Sequence, residues 1–206
     1  MRPAVAVVRI LVALTVLTAV AATAADTASR IPLNPLNFFG FFTIQGNILL
    51  AVILLITAGL SLARRPQGSG LVLARGAATG YIAIVGVVYN LLLAGLAGGV
   101  TLPWANTVMH VLFPLYGVLD WLLIGDRPPL PWRRLWVVVV YPIVWLVVVL
   151  VRGATDGWVP YPFLDPANGY GSVAAYVAAI AVAFVLAGAL AWAISRVQLL
   201  RMPAVR

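Results

Sequence analysis

Cysteine, lysine and glutamate are absent from the chain, and histidine occurs once, at His110. Lacking cysteine, the protein has no disulfide, no thiol nucleophile and no iron–sulfur cluster. One histidine and five aspartates offer too few ligands for an ordinary metal or haem site, so neither a metal nor a cofactor is expected. The glycine-rich fingerprints that cradle phosphates or dinucleotides are missing as well. Charge is scarce: 9% of the 206 residues are charged against 64% hydrophobic, and the mean hydropathy is +1.08. A soluble domain keeps a far more charged surface, so these values exclude one. What remains is an integral membrane protein whose net charge of +8 owes its positive part to arginine alone.

Six apolar runs, at 3–25, 37–62, 71–97, 105–124, 132–151 and 170–194, each approach the length that spans hydrocarbon. None alternates as a barrel strand does, and helix is the backbone that satisfies its own hydrogen bonds in lipid. The expected fold is all-α: a single domain over 1–206, a bundle of six transmembrane helices, multi-pass in the cell membrane. The placement of arginine speaks for membrane orientation and against a nucleic-acid partner. Arg2 and Arg9 flank the first run, Arg64, Arg65 and Arg75 the second connection, Arg127, Arg133 and Arg134 the fourth, and Arg196, Arg201 and Arg206 the tail. Arg30 and Arg152 fall on the other side. The positive-inside rule then puts both termini in the cytoplasm. The first run, ending in "TAVAATAAD", also fits a cleaved signal peptide, but its length of about 20 apolar residues favours an uncleaved helix.

With 1.5 Å of rise per residue, Thr43 lies roughly 9 Å below the outer end of the second run and His110 roughly 8 Å below that of the fourth. The two are level, and Gln45, Asn47, Tyr89, Asn90, Asn106, Ser172 and Tyr176 fall in the same outer layer. Side chains four apart share a helix face, which pairs Thr43 with Asn47 and Asn106 with His110. Pro114 deprives the His110 carbonyl of its helical donor, which predicts a kink or an opening beside the imidazole. In the outer segment "GWVPYPFLDPANGY" three prolines forbid regular helix and the aromatics suit the headgroup zone; the segment is expected to act as a lid that carries Asp165.

A threonine hydroxyl becomes a nucleophile when a positioned base takes its proton, so Thr43 facing His110 is the arrangement that acyl transfer needs. Asn47, Asn90 or Asn106 would donate to the oxyanion, and Asp165 would orient the imidazole. Each has a plainer reading: Thr43 bonds back to the Phe39 carbonyl, and His110 makes an interhelical hydrogen bond that glues the bundle. Asp120 lies about 15 Å along the helix axis from His110, too far to orient it, and is expected to pair with Arg64, Arg127 or Arg133. Gly76 with Gly80, and Gly95 with Gly99, have the spacing of close helix packing.

Three segments, "FFTIQGNILLAVILL" around Thr43, "NTVMHVLFPLYGVLDWLL" around His110 and "GWVPYPFLD" in the outer loop, resemble in order and spacing the androgen-induced-gene-1 and FAR-17a family of membrane proteins. The likeness is greatest to its bacterial branch, the Pr6Pr family, and runs through most of the chain from the second run onward. The resemblance implies a six-span integral membrane hydrolase with a threonine nucleophile and a histidine partner, which in the animal members cleaves fatty acid esters of hydroxy fatty acids. By position, Thr43 would be the nucleophile and His110 the base. The arginine-only, alanine-rich composition suggests a bacterial chain. The expected activity is lipid ester hydrolysis, with membrane lipids or a lipid ester substrate as partner. The rivals are a small transporter or lipid-binding protein in which His110 and the asparagines bind without reacting, and a structural assembly subunit.

Overall fold

The computed structural model of the chain describes residues 2–95, 101–197 and 199–201. Its helices are α1 (Arg2–Arg30), α2 (Pro35–Phe38), α3 (Phe42–Leu62), α4 (Ser69–Val88), α5 (Pro103–Thr107), α6 (Phe113–Leu123), α7 (Val137–Thr155) and α8 (Tyr170–Ile194). One π-helical turn, Tyr89–Leu93, continues α4, and a second, Val108–Leu112, joins α5 to α6. A two-residue parallel pairing sets Ile124 and Gly125 beside Leu200 and Arg201. The protein is all-α and multi-pass.

Among the described residues, five helical stretches are long and apolar enough to cross a membrane: Arg2–Arg30, Phe42–Leu62, Ser69–Leu93, Trp132–Thr155 and Tyr170–Ile194. The fourth expected run is helical from α5 through α6 but is not among the five. Asn106, His110 and Asp120 lower its hydropathy, and Pro114 breaks its hydrogen-bond ladder into a π turn. The run at 37–62 is also divided. Asn34 accepts the amides of Leu36 and Asn37 and so caps α2, which begins at Pro35. The chain then turns at Gly40, where a Cβ would collide with the Trp158 ring and lie 2.7 Å from the Leu36 carbonyl. The main part of the run restarts as α3.

Helix α4 is the centre of the bundle, touching α3, α6, α7 and α8, while α1 lies along α3. Gly76 explains part of this closeness, since a Cβ there would meet Leu130 at 2.5 Å and Trp121 at 3.2 Å. Gly80 sits in ordinary contact with the Ala187 and Gly188 backbone, at 3.6 Å. The expected partner of Gly95, Gly99, lies outside the described residues. Large apolar residues of α1, α7 and α8, such as Leu11, Val147 and Leu186, point outward. Such faces suit lipid tails.

At the end of the bundle away from His110, two arginines and two aspartates close a buried ring. Arg9 of α1 meets Asp120 of α6 at 2.8 Å and Asp126 at 2.6 Å; Arg75 of α4 meets Asp120 at 2.5 Å and Asp126 at 2.8 Å. Gln67 adds a bond to the Asp126 carbonyl at 3.1 Å. The expected partners of Asp120, namely Arg64, Arg127 and Arg133, are therefore replaced by Arg9 and Arg75. Arg127 instead lies over the Trp121 ring, 3.7 Å from its centroid, and donates to the carbonyls of Ile124 and Trp121.

Burial alone would raise the Asp126 carboxyl above its ordinary 3.8, but the charges and hydrogen bonds of Arg75 and Arg9 bring it down to about 2. A depressed carboxyl stabilises the fold above its unfolded value and loses that contribution as the pH falls through the folded one. The melting temperature of the detergent-solubilised protein is therefore expected to drop as the pH is lowered from about 4 to about 2. Asp120→Ala, which leaves two buried arginines to share the Asp126 carboxylate, is expected to cost about 3–5 kcal/mol, measured by chemical or thermal unfolding at neutral pH.

Candidate functional site

Thr43 stands in the first turn of α3, where backbone N–H groups have no helical acceptor. Phe41 caps this helix with extended backbone and no side-chain bond. Side chains bond instead to the carbonyls before the helix, and Tyr161 alone among them accepts a first-turn N–H. Gln45 donates to the Phe39 carbonyl at 2.7 Å, Tyr141 donates to the Gln45 amide oxygen, and Trp145 donates to the Gly40 carbonyl at 2.8 Å. The Thr43 N–H donates to the Tyr161 hydroxyl at 3.3 Å, and the same hydroxyl lies 3.5 Å from Thr43 Oγ1. Seven threonines elsewhere in the helices donate to the carbonyl four residues back, the usual resting place of such a hydroxyl. For Thr43 that carbonyl, Phe39, is held by Gln45, and the hydroxyl turns to Tyr161.

His110 occupies the π turn at Val108–Leu112, directly before Pro114, where the opening was expected. The His110 carbonyl, short of its helical donor, accepts from the Asn90 amide at 3.2 Å. Asn90 comes from the other π turn, and its neighbour Tyr89 stacks on the imidazole with centroids 3.6 Å apart and planes 19° from parallel. Two π turns thus meet face to face, a feature that often marks functional sites. The imidazole Nδ1 lies 3.0 Å from the Asn106 carbonyl. A carbonyl only accepts, so Nδ1 carries the proton and Nε2 keeps its lone pair. Gly86 lets α4 approach: a Cβ there would lie 3.0 Å from Pro114 and 3.4 Å from the His110 carbonyl.

Two cavities adjoin this site. One, of about 490 Å³, is lined by Thr43, His110, Asn106, Tyr89 and Tyr161, and by polar residues of α1 and the α1–α3 connection, including Thr23, Thr27, Asn34 and Asn37. The other, of about 380 Å³, runs between α4, α7 and α8 and is apolar except where it touches Thr43, Tyr89 and Tyr161. Both lie in the range of roughly 300–1,000 Å³ usual for small-molecule sites.

A comparison with protein families matches residues 90–193 to the FAR-17a/AIG1-like proteins. The chain belongs to the FAR-17a/AIG1-like family. No curated protein and no solved structure matches it. Within this family member the matched segment contains His110, its π turn, Tyr161 and Asp165, whereas Thr43 lies before it.

The structure brings Thr43, His110 and Asn106 to one cavity. Asn47 is fully buried and donates to the Thr43 carbonyl at 2.8 Å, and among the described residues its Oδ1 has no hydrogen-bond partner. Asn90 divides its amide between the Gly86 and His110 carbonyls. Neither points its amide at the Thr43 hydroxyl. Asp165 is not the orienting group of the imidazole: its carboxylate accepts the Ala167 amide at 2.9 Å and caps the short turn at Pro166–Asn168. The Asn106 carbonyl takes that place. Sequence reasoning missed Tyr161, which reads as one more headgroup aromatic in a proline-rich loop, and it missed the ring stack of Tyr89. Gly86→Val, which pushes a branched side chain onto Pro114 and the His110 carbonyl, is expected to destabilise the protein by about 1–3 kcal/mol. An unchanged melting temperature would show that the two π turns do not touch.

Proposed function

We propose that this chain is an integral membrane hydrolase of lipid esters, of the kind that splits fatty acid esters of hydroxy fatty acids, with Thr43 as nucleophile and His110 as base. One observation carries the reading: Thr43 and His110, from different helices, line the same cavity, and the imidazole Nδ1 is held by a carbonyl, which leaves Nε2 free to act as base. Thr43 Oγ1 bonds to the ester carbonyl carbon while its proton passes to His110 Nε2. The tetrahedral intermediate collapses, the carbon–oxygen bond to the alcohol breaks, and the imidazolium returns the proton to the departing oxygen. Water then attacks acyl-Thr43, gives a proton to His110 and releases the carboxylic acid, and the threonine recovers its hydrogen from the imidazolium. The cycle needs no metal or cofactor.

The same reading takes the helical stretch from α5 through α6 as a sixth span, both termini as cytoplasmic, and the site as lying in the outer leaflet of a bacterial cell membrane. The arginine distribution supports the orientation. The likeness to the Pr6Pr branch supports the bacterial source.

A second reading, a lipid-binding protein or small transporter without turnover, is favoured by one detail. Among the described residues no hydrogen bond joins Thr43 to His110; the hydroxyl meets Tyr161 and the imidazole meets Asn106. Resting active sites are often loose in this way and tighten around substrate. The readings separate in an assay of purified protein in detergent with medium-chain 4-nitrophenyl esters. Thr43→Ala and His110→Ala are each expected to lower kcat by about 10²-fold or more, and the melting temperature of Thr43→Ala stays near that of the unaltered protein. Saturable ester binding with no turnover in the unaltered protein would establish the second reading instead.

A further inference from the structure

We propose that the ester lies across the wall shared by the two cavities, with its carbonyl oxygen on the Tyr161 hydroxyl, its acyl chain in the apolar cavity and its alcohol half in the cavity of His110. The inference rests on Thr43 being the nucleophile.

The place of the carbonyl oxygen follows from the donors. Tyr161 O accepts the Thr43 N–H at 3.3 Å, so its own hydrogen is available to a group beside Thr43 Oγ1, 3.5 Å away. Burial pushes the Tyr161 phenol up, against the hydrogen bonds from Thr43 that pull it down, so the hydroxyl keeps its proton at neutral pH. Of the other candidate donors, Asn47 and Asn90 bond to backbone carbonyls, and Asn106 lines the cavity of His110 alone, whereas Tyr161 borders both cavities as Thr43 does. The phenol is held on both sides: Phe163 stacks on it at 5.2 Å and Phe41 meets it edge-on at 5.7 Å. A fixed donor aimed at the oxygen that becomes negative is what stabilises a tetrahedral intermediate.

The two halves of the ester are assigned by the base. His110 must return its proton to the alcohol oxygen, so that oxygen and what it carries lie on the imidazole side. His110 lines the larger cavity and not the apolar one. The threonines and asparagines of the larger cavity suit an alcohol half that bears polar groups. The carbonyl carbon sits at Thr43, which lines both cavities, and the acyl chain is left with the apolar one, lined also by Val177, Ala181 and Val185 of α8 and Ile143 of α7, of which Ala181, Val185 and Ile143 are exposed on the outer face of the bundle. The chain stays there as acyl-Thr43 after the alcohol has gone.

The test uses the full chain in detergent and two ester series, one varying acyl length at fixed alcohol, the other varying alcohol size at fixed acyl chain. Tyr161→Phe keeps the ring packing and is expected to lower kcat by about 10²-fold with little change in KM. Ala181→Phe, which fills the apolar cavity away from the reacting atoms, is expected to reduce kcat/KM at least tenfold for long acyl chains, to spare short ones, and to leave the dependence on alcohol size unchanged. Should Tyr161→Phe melt early, the Ala181→Phe series still decides how the halves lie. Tyr161→Phe turning over at the unaltered rate while Thr43→Ala is inactive would overturn the carbonyl placement alone. A loss of large alcohols rather than long acyl chains in Ala181→Phe would reverse the two halves. Full activity in Thr43→Ala would instead overturn the nucleophile on which the inference stands.

Discussion

The ring of Arg9, Asp120, Arg75 and Asp126 sets the frame for the rest of the molecule. Each charge in an apolar interior carries a large desolvation cost that only close, complete pairing offsets. Here two cations and two anions cancel, and each aspartate accepts from both arginines. The ring joins α1, α4 and the end of α6. Rotating any of these helices by one residue would pull a guanidinium away from its carboxylates. Because α4 runs into the turn that bears Tyr89 and Asn90, and α6 follows the turn that bears His110, locking α4 against α6 at one end fixes how the two π turns face each other at the other.

At that second end the constraints are softer and the polar groups adaptable. Pro114 opens the helix, the π turn absorbs the extra residue, and Asn90 satisfies the carbonyl that the opening exposes. Opposite, the first turn of α3 lacks a local cap and borrows one from Tyr161 in the loop between α7 and α8. The site is thus assembled from backbone irregularities that side chains on other elements complete. Such places adjust to a ligand more readily than a sealed helical core, and they border both cavities. Rigid frame and adjustable site occupy opposite ends of the same helices.

Much of this was legible in the sequence, for reasons specific to particular residues. Five apolar runs became long helices because lipid leaves the backbone no alternative. The fourth run carries the polar residues of the site, so its hydropathy and its helical ladder are interrupted together. Thr43 and His110 count to one depth because helical rise is nearly constant, and both line one cavity. Pairing Asp120 failed because Arg9 sits inside an apolar run and reads as a flanking charge; its partner comes from a helix more than a hundred residues away, which no local pattern encodes. The turn role of Asp165 was within reach, since an aspartate followed by proline, alanine and asparagine is a local cap. The engagement of Asn47 and Asn90 follows the same habit of short polar side chains bonding back to helix carbonyls. Tyr161 had no such signature, because its meaning depends on where the loop folds.

The central claim is that Thr43 is a nucleophile activated at a wall between two lipid-sized cavities. It is tested most directly by treating the protein in membranes with a fluorophosphonate probe carrying an alkyl chain and mapping the modified peptide by mass spectrometry. The account predicts a single adduct on Thr43, slowed in His110→Ala and absent in Thr43→Ala. An adduct on another hydroxyl, or labelling that persists without Thr43, would contradict it.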